Sequence, residues 1–350
     1  MHKHKQSQCK RKVKNRKNVV GLIIFCITVG IVFLYAYYQN LRKEIDARQK
    51  WLETVLTGEK KWILENQGPE GEFYMNGSKA GDVNPYFACM AALGLLAETK
   101  NCPMTETEQK AVGRYLDWHT GVLLETDGKM GIYRKESGKL IYKEKADSED
   151  GYLGMYLFLM GKYLEKTEST DLPESWKNGI SLALKKIQSL MQDGITQVSE
   201  ENTTVYLMDN LEVWKGLHEL ELAGLEDTQA ISEIRKKIQK QIEKIFWDDA
   251  NQRWRIIGNS DRYHQTEFYP DGVAQIYPLI YEFPVKEKKK QKILYDQFTE
   301  KFQWQKLNKK RNGFLWAMTG MAAAQMGDIN NLVELIENYE TEYCENRKYP

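Results

Sequence analysis

Four stretches of this chain have the spacing of helices and carry almost no charge: "NPYFACMAALGLLA" (84–97), "GYLGMYLFLMGKYL" (151–164), "FYPDGVAQIYPLIY" (268–281) and "NGFLWAMTGMAAAQMG" (312–327). A helix that is apolar all round has to be buried all round. These runs are too short and too rich in glycine to cross a bilayer, so each belongs in the interior of a folded domain. Between them lie amphipathic segments, of which 228–247 is the clearest: Ile231, Ile234, Ile238, Ile242 and Ile245 fall three or four apart with Lys, Arg and Glu between them. Segments 41–66, 105–119, 173–192, 286–303 and 329–343 are similar and read as outer helices. Segment 203–223 is intermediate, and its place in the alternation assigns it to the inner layer.

The order is therefore one outer helix followed by five inner–outer pairs, with inner starts near 84, 150, 205, 268 and 312. No such hairpin can bury its own apolar face, and a repeat of this kind calls for closure into a ring. The expected fold is all-α, an α/α toroid of the six-hairpin type with eleven helices where a full ring has twelve. An open helical solenoid is the alternative. Between the helices, "GEFYMNG" (71–77), "MGIYRKESGKLIYKE" (130–144) and "RWRIIGN" (253–259) have alternating or aromatic character, and the second reads as a β-hairpin turning near Ser137–Gly138.

The amino terminus is of another kind. Residues 1–18 hold eight Lys and Arg and no acid, and residues 19–38 are twenty consecutive residues without a charge, enough to span about 30 Å of hydrocarbon. This predicts a basic cytoplasmic arm (1–18), a transmembrane signal anchor (19–38) and an extracytoplasmic domain (39–350), oriented by the positive-inside rule. Leu34-Tyr35-Ala36 is a poor cleavage site, which favours an anchor over a removed leader. Without the arm the chain has 42 basic and 49 acidic residues, a net −7, so its folded part lacks the positive surface that nucleic acid requires. No C-x-x-C, H-E-x-x-H, Walker A, G-x-G-x-x-G or G-x-S-x-G occurs, so neither a cofactor nor a metal is expected. Of the five cysteines, only Cys102 and Cys344 are placed to pair outside the membrane.

Inner-helix starts on one face of a ring converge on a cleft, and carboxylates with aromatics stand at each of them. Asp82 and Asn84 precede the first; Asp147, Glu149 and Asp150 the second. Tyr206, Asp209 and Asn210 lie in the third, Glu267, Tyr269 and Asp271 open the fourth, and Asn312 and Trp316 the fifth. Acids and amides also cap helices, and for any one residue capping explains the position. A cap needs one side chain, however, and "DSED" (147–150) offers three carboxylates, so at least one is expected to cap and another to face the cleft. Aromatic faces with carboxylates suit a sugar, which stacks its ring and hydrogen-bonds its hydroxyls.

The alternating helices look like the six-hairpin glycosidase superfamily, and two segments loosely resemble family eight glycoside hydrolases, which invert the anomeric centre. "DVNPY" places Asp82 four residues before Tyr86, as that family places its general-acid Glu. Asp147-Ser-Glu149-Asp150-Gly151-Tyr152 is similar to its D-x-D-x-D-x-A-Y motif, with Glu for Asp at 149 and Gly at the third acid. The family's later Asp-x-x-Arg segment has no counterpart, and Asp271 is only a positional substitute. "WILENQGPEGEFYMN" also resembles repeats of terpenoid cyclases, whose aspartate-rich motif and zinc ligands are missing. The resemblance implies a membrane-anchored glycoside hydrolase acting on a polysaccharide or cell-surface glycan. Its catalytic candidates are Asp82, Asp147, Glu149, Asp150 and Asp271, and its substrate-binding candidates Tyr86, Tyr206, Asp209, Asn210, Glu267, Tyr269 and Trp316. A non-catalytic glycan-binding or envelope-scaffolding module on the same fold is the alternative.

Overall fold

The computed structural model describes residues 42–75, 81–136, 139–169, 171–225, 228–258, 260, 267–285, 288–306 and 316–343. It divides into two compact units, Met1–Glu59 and Lys60–Pro350. In the first, the described residues 42–59 are helical. The basic arm and the apolar run expected to cross a membrane lie outside the described residues, as does Cys344. Among those described, no helix is long and apolar enough to cross a membrane.

Eleven α-helices occur among the described residues: α1 (42–65), α2 (Pro85–Leu96), α3 (Glu106–Glu125), α4 (Glu149–Thr167), α5 (Glu174–Leu190), α6 (Leu207–Leu222), α7 (Thr228–Phe246), α8 (Val273–Ile280), α9 (Lys288–Phe302), α10 (Thr319–Met326) and α11 (Ile329–Tyr343). The alternation of charge sorts them as expected. Helix α4 packs between α2 and α6, α6 also meets α8, and α8 meets α10, while α3, α5, α7, α9 and α11 lie against this inner set. In α7 the buried stripe is Ile231, Ile234, Ile238 and Ile242, and Ile245 is only half-buried at its edge.

Local chemistry sets the helix starts. Asn84 accepts from the backbone N–H groups of Tyr86 and Phe87, with Pro85 at the first helical position of α2. Thr105 and Glu108 form a capping box on α3, and Glu108 also takes the buried Lys60 ammonium at 3.1 Å. Two inner helices are shorter than the sequence suggests. The stretch 268–272 is a single π turn in which Tyr269 is extended (φ −125°, ψ 132°), so α8 begins only at Val273. In the fifth, residues 312–315 lie outside the described residues and helix begins at Thr319, which leaves Trp316 in the turn before α10.

Helices α4 and α6 touch backbone to backbone. A Cβ on Gly154 would lie 2.7 Å from the Glu212 carbonyl carbon and from the Val213 nitrogen, and one on Gly216 would overlap the Gly154 carbonyl oxygen. One on Gly161 would lie 2.5 Å from the Glu219 carbonyl carbon. Such contacts leave no room for a methyl group at a packed interface. The glycines of the uncharged run thus bring α6, with its charged residues, into the middle of the inner layer.

The expected hairpin is present as β2 (Gly131–Glu136) and β3 (Lys139–Lys145), and β1 (Asp82–Val83) adds to β2 antiparallel, with Asp82 opposite Arg134. This sheet joins the chain entering α2 to the chain entering α4. Among the described residues of 253–259, Arg253–Trp254 forms a strand, pairing with Trp247–Asp248.

Candidate active site

A cavity of about 490 Å³ opens where the inner helices begin. Each inner helix or the turn before it contributes: Asn84, Tyr86 and Phe87 around α2; Asp147, Ser148 and Tyr152 around α4; Met208, Asp209 and Glu212 from α6; Glu267, Phe268, Tyr269 and Tyr277 around α8; and Trp316 before α10. Of the expected residues, Asp147, Tyr86, Asp209, Glu267, Tyr269 and Trp316 meet here.

Glu212 forms the floor. It is 2% exposed, and its Oε1 accepts hydrogen bonds from three tyrosine hydroxyls: Tyr86, Tyr277 at 2.6 Å and Tyr281 at 3.4 Å. All three bonds go to Oε1. Burial pushes the Glu212 carboxyl up to about 7, with nearby Asp150 adding to the effect and the tyrosine hydroxyls opposing it. Asp209 lies one turn earlier on the same face of α6. Burial, then the charges of Asp150 and Glu212, raise it well above the usual carboxylate range, against a Ser148 hydroxyl that lowers it. Burial and mutual repulsion thus favour the protonated form of both carboxyls.

The "DSED" run divides its work differently from the expectation that an acid caps. Ser148 is the N-cap of α4, accepting from the Gly151 N–H at 3.2 Å. Asp147, just outside the helix and exposed, is the member that lines the cavity. Glu149 turns away to pair with Lys145 at 3.3 Å. Asp150 is fully buried behind the wall, where it accepts from Ser148 Oγ at 2.8 Å, Gly151 N at 3.0 Å and Thr196 Oγ1 at 2.7 Å. Burial nevertheless raises it to about 6.

Four other candidates stand outside the cavity, each for a visible reason. Asp82 is held by β1 against the sheet, where Arg134 at 2.6 Å and Lys143 at 2.7 Å bind its carboxylate and keep it down at about 2. Asp271 accepts from the Glu267 N–H at 3.3 Å, across the π turn that the Gly272 N–H closes onto the Glu267 carbonyl at 3.1 Å, and lines a separate cavity of about 340 Å³ shared with Arg253 and α9. Asn210 is fully buried as a strut, bonded to the Thr196 N–H, hydroxyl and carbonyl and to the Tyr206 carbonyl. Tyr206 is the N-cap residue of α6, and its extended backbone bridges to Ile257.

Aromatic surface completes the site. Tyr269, 48% exposed, stacks on Trp316 with centroids 4.7 Å apart and planes at 19°, so Trp316 is buried beneath it and Tyr269 offers the outer face. Phe87 is exposed across from it and packs edge-on against Tyr86 at 5.3 Å. Tyr152 donates to the Asn84 side chain at 3.0 Å, locking the α2 cap to α4. Glu212, Tyr277 and Phe87 were not singled out from the sequence, and Tyr152 only as the tyrosine of the motif. The trace that could have found Glu212 is the set Glu212, Lys215 and Glu219, one helical face of charge in a helix assigned to the interior. Among the described residues, no group of His, Cys, Asp and Glu is arranged to hold a metal ion.

No family model matches the chain, and no curated protein matches it by sequence. Solved structures do match by shape. A glycosidase in complex with glucose aligns at TM-score 0.58 with 12% identity over 82% of both chains. A D-mannose isomerase aligns at 0.54 with 12% identity over 83% of this chain and 86% of that one, and a sugar epimerase from a ruminal bacterium at 0.53 with 10% identity over 85% and 88%. The chain thus shares the helical-barrel fold of these solved structures.

Proposed function

We propose that this protein is a carbohydrate-active enzyme, a glycoside hydrolase, held at a membrane by residues 19–38 with its N-terminus in the cytoplasm and residues 39–350 outside. The observation that carries the reading is the meeting of Asp147, Asp209 and Glu212 with the open faces of Tyr269 and Phe87 in one cavity. The sugar-handling neighbours of the same fold support it. Hydrolysis of a glycoside requires a carboxyl that keeps its proton until the leaving oxygen needs it, and a second carboxylate for the attacking water. Asp209, its carboxyl raised by burial and by its acidic neighbours, is the donor. Its proton passes to the glycosidic oxygen as the bond from C1 to that oxygen breaks. Asp147, at the mouth, takes a proton from the water whose oxygen bonds to C1, and solvent restores both groups. Glu212, tied to three tyrosines, fixes the floor against which the sugar is held.

A non-catalytic glycan-binding module is the second reading. It is favoured by Asp82, which stands at the family-eight acid position but is occupied by Arg134 and Lys143. The test is to incubate the detergent-solubilised full chain and its Asp209→Asn variant with a panel of polysaccharides, reading both binding and new reducing ends. Cleavage by the parent that the variant lacks supports the enzyme; binding without new ends from either supports the module.

A further inference from the structure

Asp150 has no task in the proposed hydrolysis, yet it is a fully buried acid. Its hydrogen-bond partners are the Ser148 hydroxyl at 2.8 Å and the Gly151 N–H at 3.0 Å on Oδ1, and the Thr196 hydroxyl at 2.7 Å on Oδ2. These are neutral donors. They stabilise a charge in place without cancelling its field, unlike the Lys145 ammonium that pairs with neighbouring Glu149. An amide would serve the same scaffold at less cost, because burying a charge is expensive where a neutral group makes the same bonds. What the charge reaches is the start of α6. Thr196 Oγ1 also lies 2.9 Å from Asn210 Oδ1, which sets the Asp150 carboxylate against the first turn of that helix, and the residue before Asn210 is Asp209. Ser148, bonded to Asp150, lines the cavity together with Asp209. Its single hydroxyl proton can serve Asp150 or Asp209, favouring as the anion whichever receives it, and the Gly151 N–H and Thr196 hydroxyl add their weight to Asp150. Of the two carboxyls, Asp150 is thus the better provided as an anion.

We infer that Asp150 is a positioning residue for the proton donor: a buried anion behind the cavity wall, linked to Asp209 through Ser148, it keeps the Asp209 proton in the cavity for the leaving oxygen. The inference rests on the hydrolase reading for the use of that proton but not for its placement. Burial raises Asp209 first, and Asp150 is the foremost of the charges that add to it, with Glu212 on the same helix and Asp147 at the start of α4 acting in the same sense. Glu267 and Tyr269, from the turn before α8, line the same space. Asp147 and Glu267 are exposed, where solvent and salt screen them, and Asp150 is not. Removing the Asp150 charge therefore lowers the pH at which Asp209 ionises.

The test is Asp150→Asn in the full chain, in detergent. The new amide can keep every bond: its oxygen accepts from Ser148 and Gly151, its nitrogen donates to Thr196 Oγ1, and the Thr196 hydroxyl turns to Asn210 Oδ1. On whichever polysaccharide of the panel the parent cleaves, kcat/KM is followed against pH. Its alkaline limb, where the donor of the free enzyme loses its proton, should fall about one pH unit earlier in the variant. In chains carrying isotope-labelled aspartate carboxyls, infrared titration of the parent should show a protonated carboxyl band that Asp209→Asn lacks. That band should disappear about one pH unit lower in Asp150→Asn. Thr196→Val, which takes one donor from Asp150 and leaves both carboxyls, should move the limb and the band the same way by a smaller amount, and it decides the question should the first variant not fold. A purely structural Asp150 would alter the height of the profile or the melting temperature and leave both midpoints in place. Unmoved midpoints in folded variants overturn the inference, as does the lack of an Asp209 band in the parent. If the parent cleaves none of the panel, the hydrolase reading falls, and the infrared shift alone upholds or overturns the placement of the proton.

Discussion

Gly154 and Gly121 make a matched pair of glycines, both inside helices, with opposite surroundings. A methyl group on Gly154 would sit 2.7 Å from backbone atoms of Glu212 and Val213, about 0.7 Å inside ordinary contact at 3.4 Å, while one on Gly121 of α3 would meet nothing within 4 Å. Backbone cannot rotate out of the way as a side chain can, so Gly154→Ala belongs near the top of the overpacking range, at about 3 kcal/mol. Alanine returns about 1 kcal/mol of helix propensity, leaving a net loss of about 2 kcal/mol. Gly121→Ala has only the gain, about 0.4–1 kcal/mol. At roughly 2–4 °C per kcal/mol for a domain of this size, Gly154→Ala should lower the melting temperature by about 4–8 °C, and Gly121→Ala should raise it slightly. Differential scanning calorimetry of both variants beside the parent is the assay. If Gly154→Ala melts at or above the parent while Gly121→Ala behaves as stated, the α4–α6 contact is not the tight one described, and the positioning of Glu212 by that contact fails with it.

The remaining expectations concern charge and topology. Glu212 is raised from 4.5 to about 7, so its contribution to stability is fully present below pH 4.5, where folded and unfolded chains are both protonated, and is lost as pH rises from 4.5 through 7 and the unfolded chain ionises first. Urea melts across that window should show roughly 3 kcal/mol more loss in the parent than in Glu212→Gln, and parallel curves would show that Glu212 is not the group responsible. Asp209→Asn should abolish turnover with the melting temperature unchanged or raised, as expected when a crowded buried charge site is relieved; retained turnover excludes Asp209 as proton donor. Asp82→Asn removes a partly exposed ion pair, so it should cost no more than about 1 kcal/mol and leave turnover intact, and loss of turnover without loss of stability would return Asp82 to the site. Protease added to intact cells should remove the domain that follows residue 38, and its protection would refute the proposed topology.

The inner–outer order was legible because burial on every side forbids charge, and charge is visible in sequence. The same rule made Asp147, Asp209, Glu267 and Tyr269 findable, since they sit where uncharged helices begin. It misled at Asp82 and Asp150. Whether an acid before a helix faces a cavity, a lysine or a buried threonine depends on strand register and on partners far away in the chain: Arg134 lies 52 residues from Asp82, and Thr196 lies 46 from Asp150. Glu212 escaped for the opposite reason. In "NLEVWKGLHELE" it looks like ordinary surface charge, and only the contact of α6 with the glycines of α4 turns that face inward. The stretch 268–272 has the sequence of a helix start, since Pro270 suits a first helical turn, but the extended backbone of Tyr269 postpones α8 by five residues.

Beneath Glu212 the interior is filled. Tyr281 reaches Met155 Sδ at 3.6 Å and packs edge-on against Phe158, the Lys215 ammonium lies over the Phe158 ring, and Lys215 is itself clasped by Glu219 at 2.8 Å and Glu282 at 2.7 Å. With those side chains in contact below it, Glu212 meets solvent from the cavity side. On the proposed reading, a sugar filling the cavity would close that side. The ionisation state of the floor would then be set when the ligand arrives and held until it leaves, so that the pH met by the empty site, more than the pH during occupancy, would decide which form of the protein the ligand encounters.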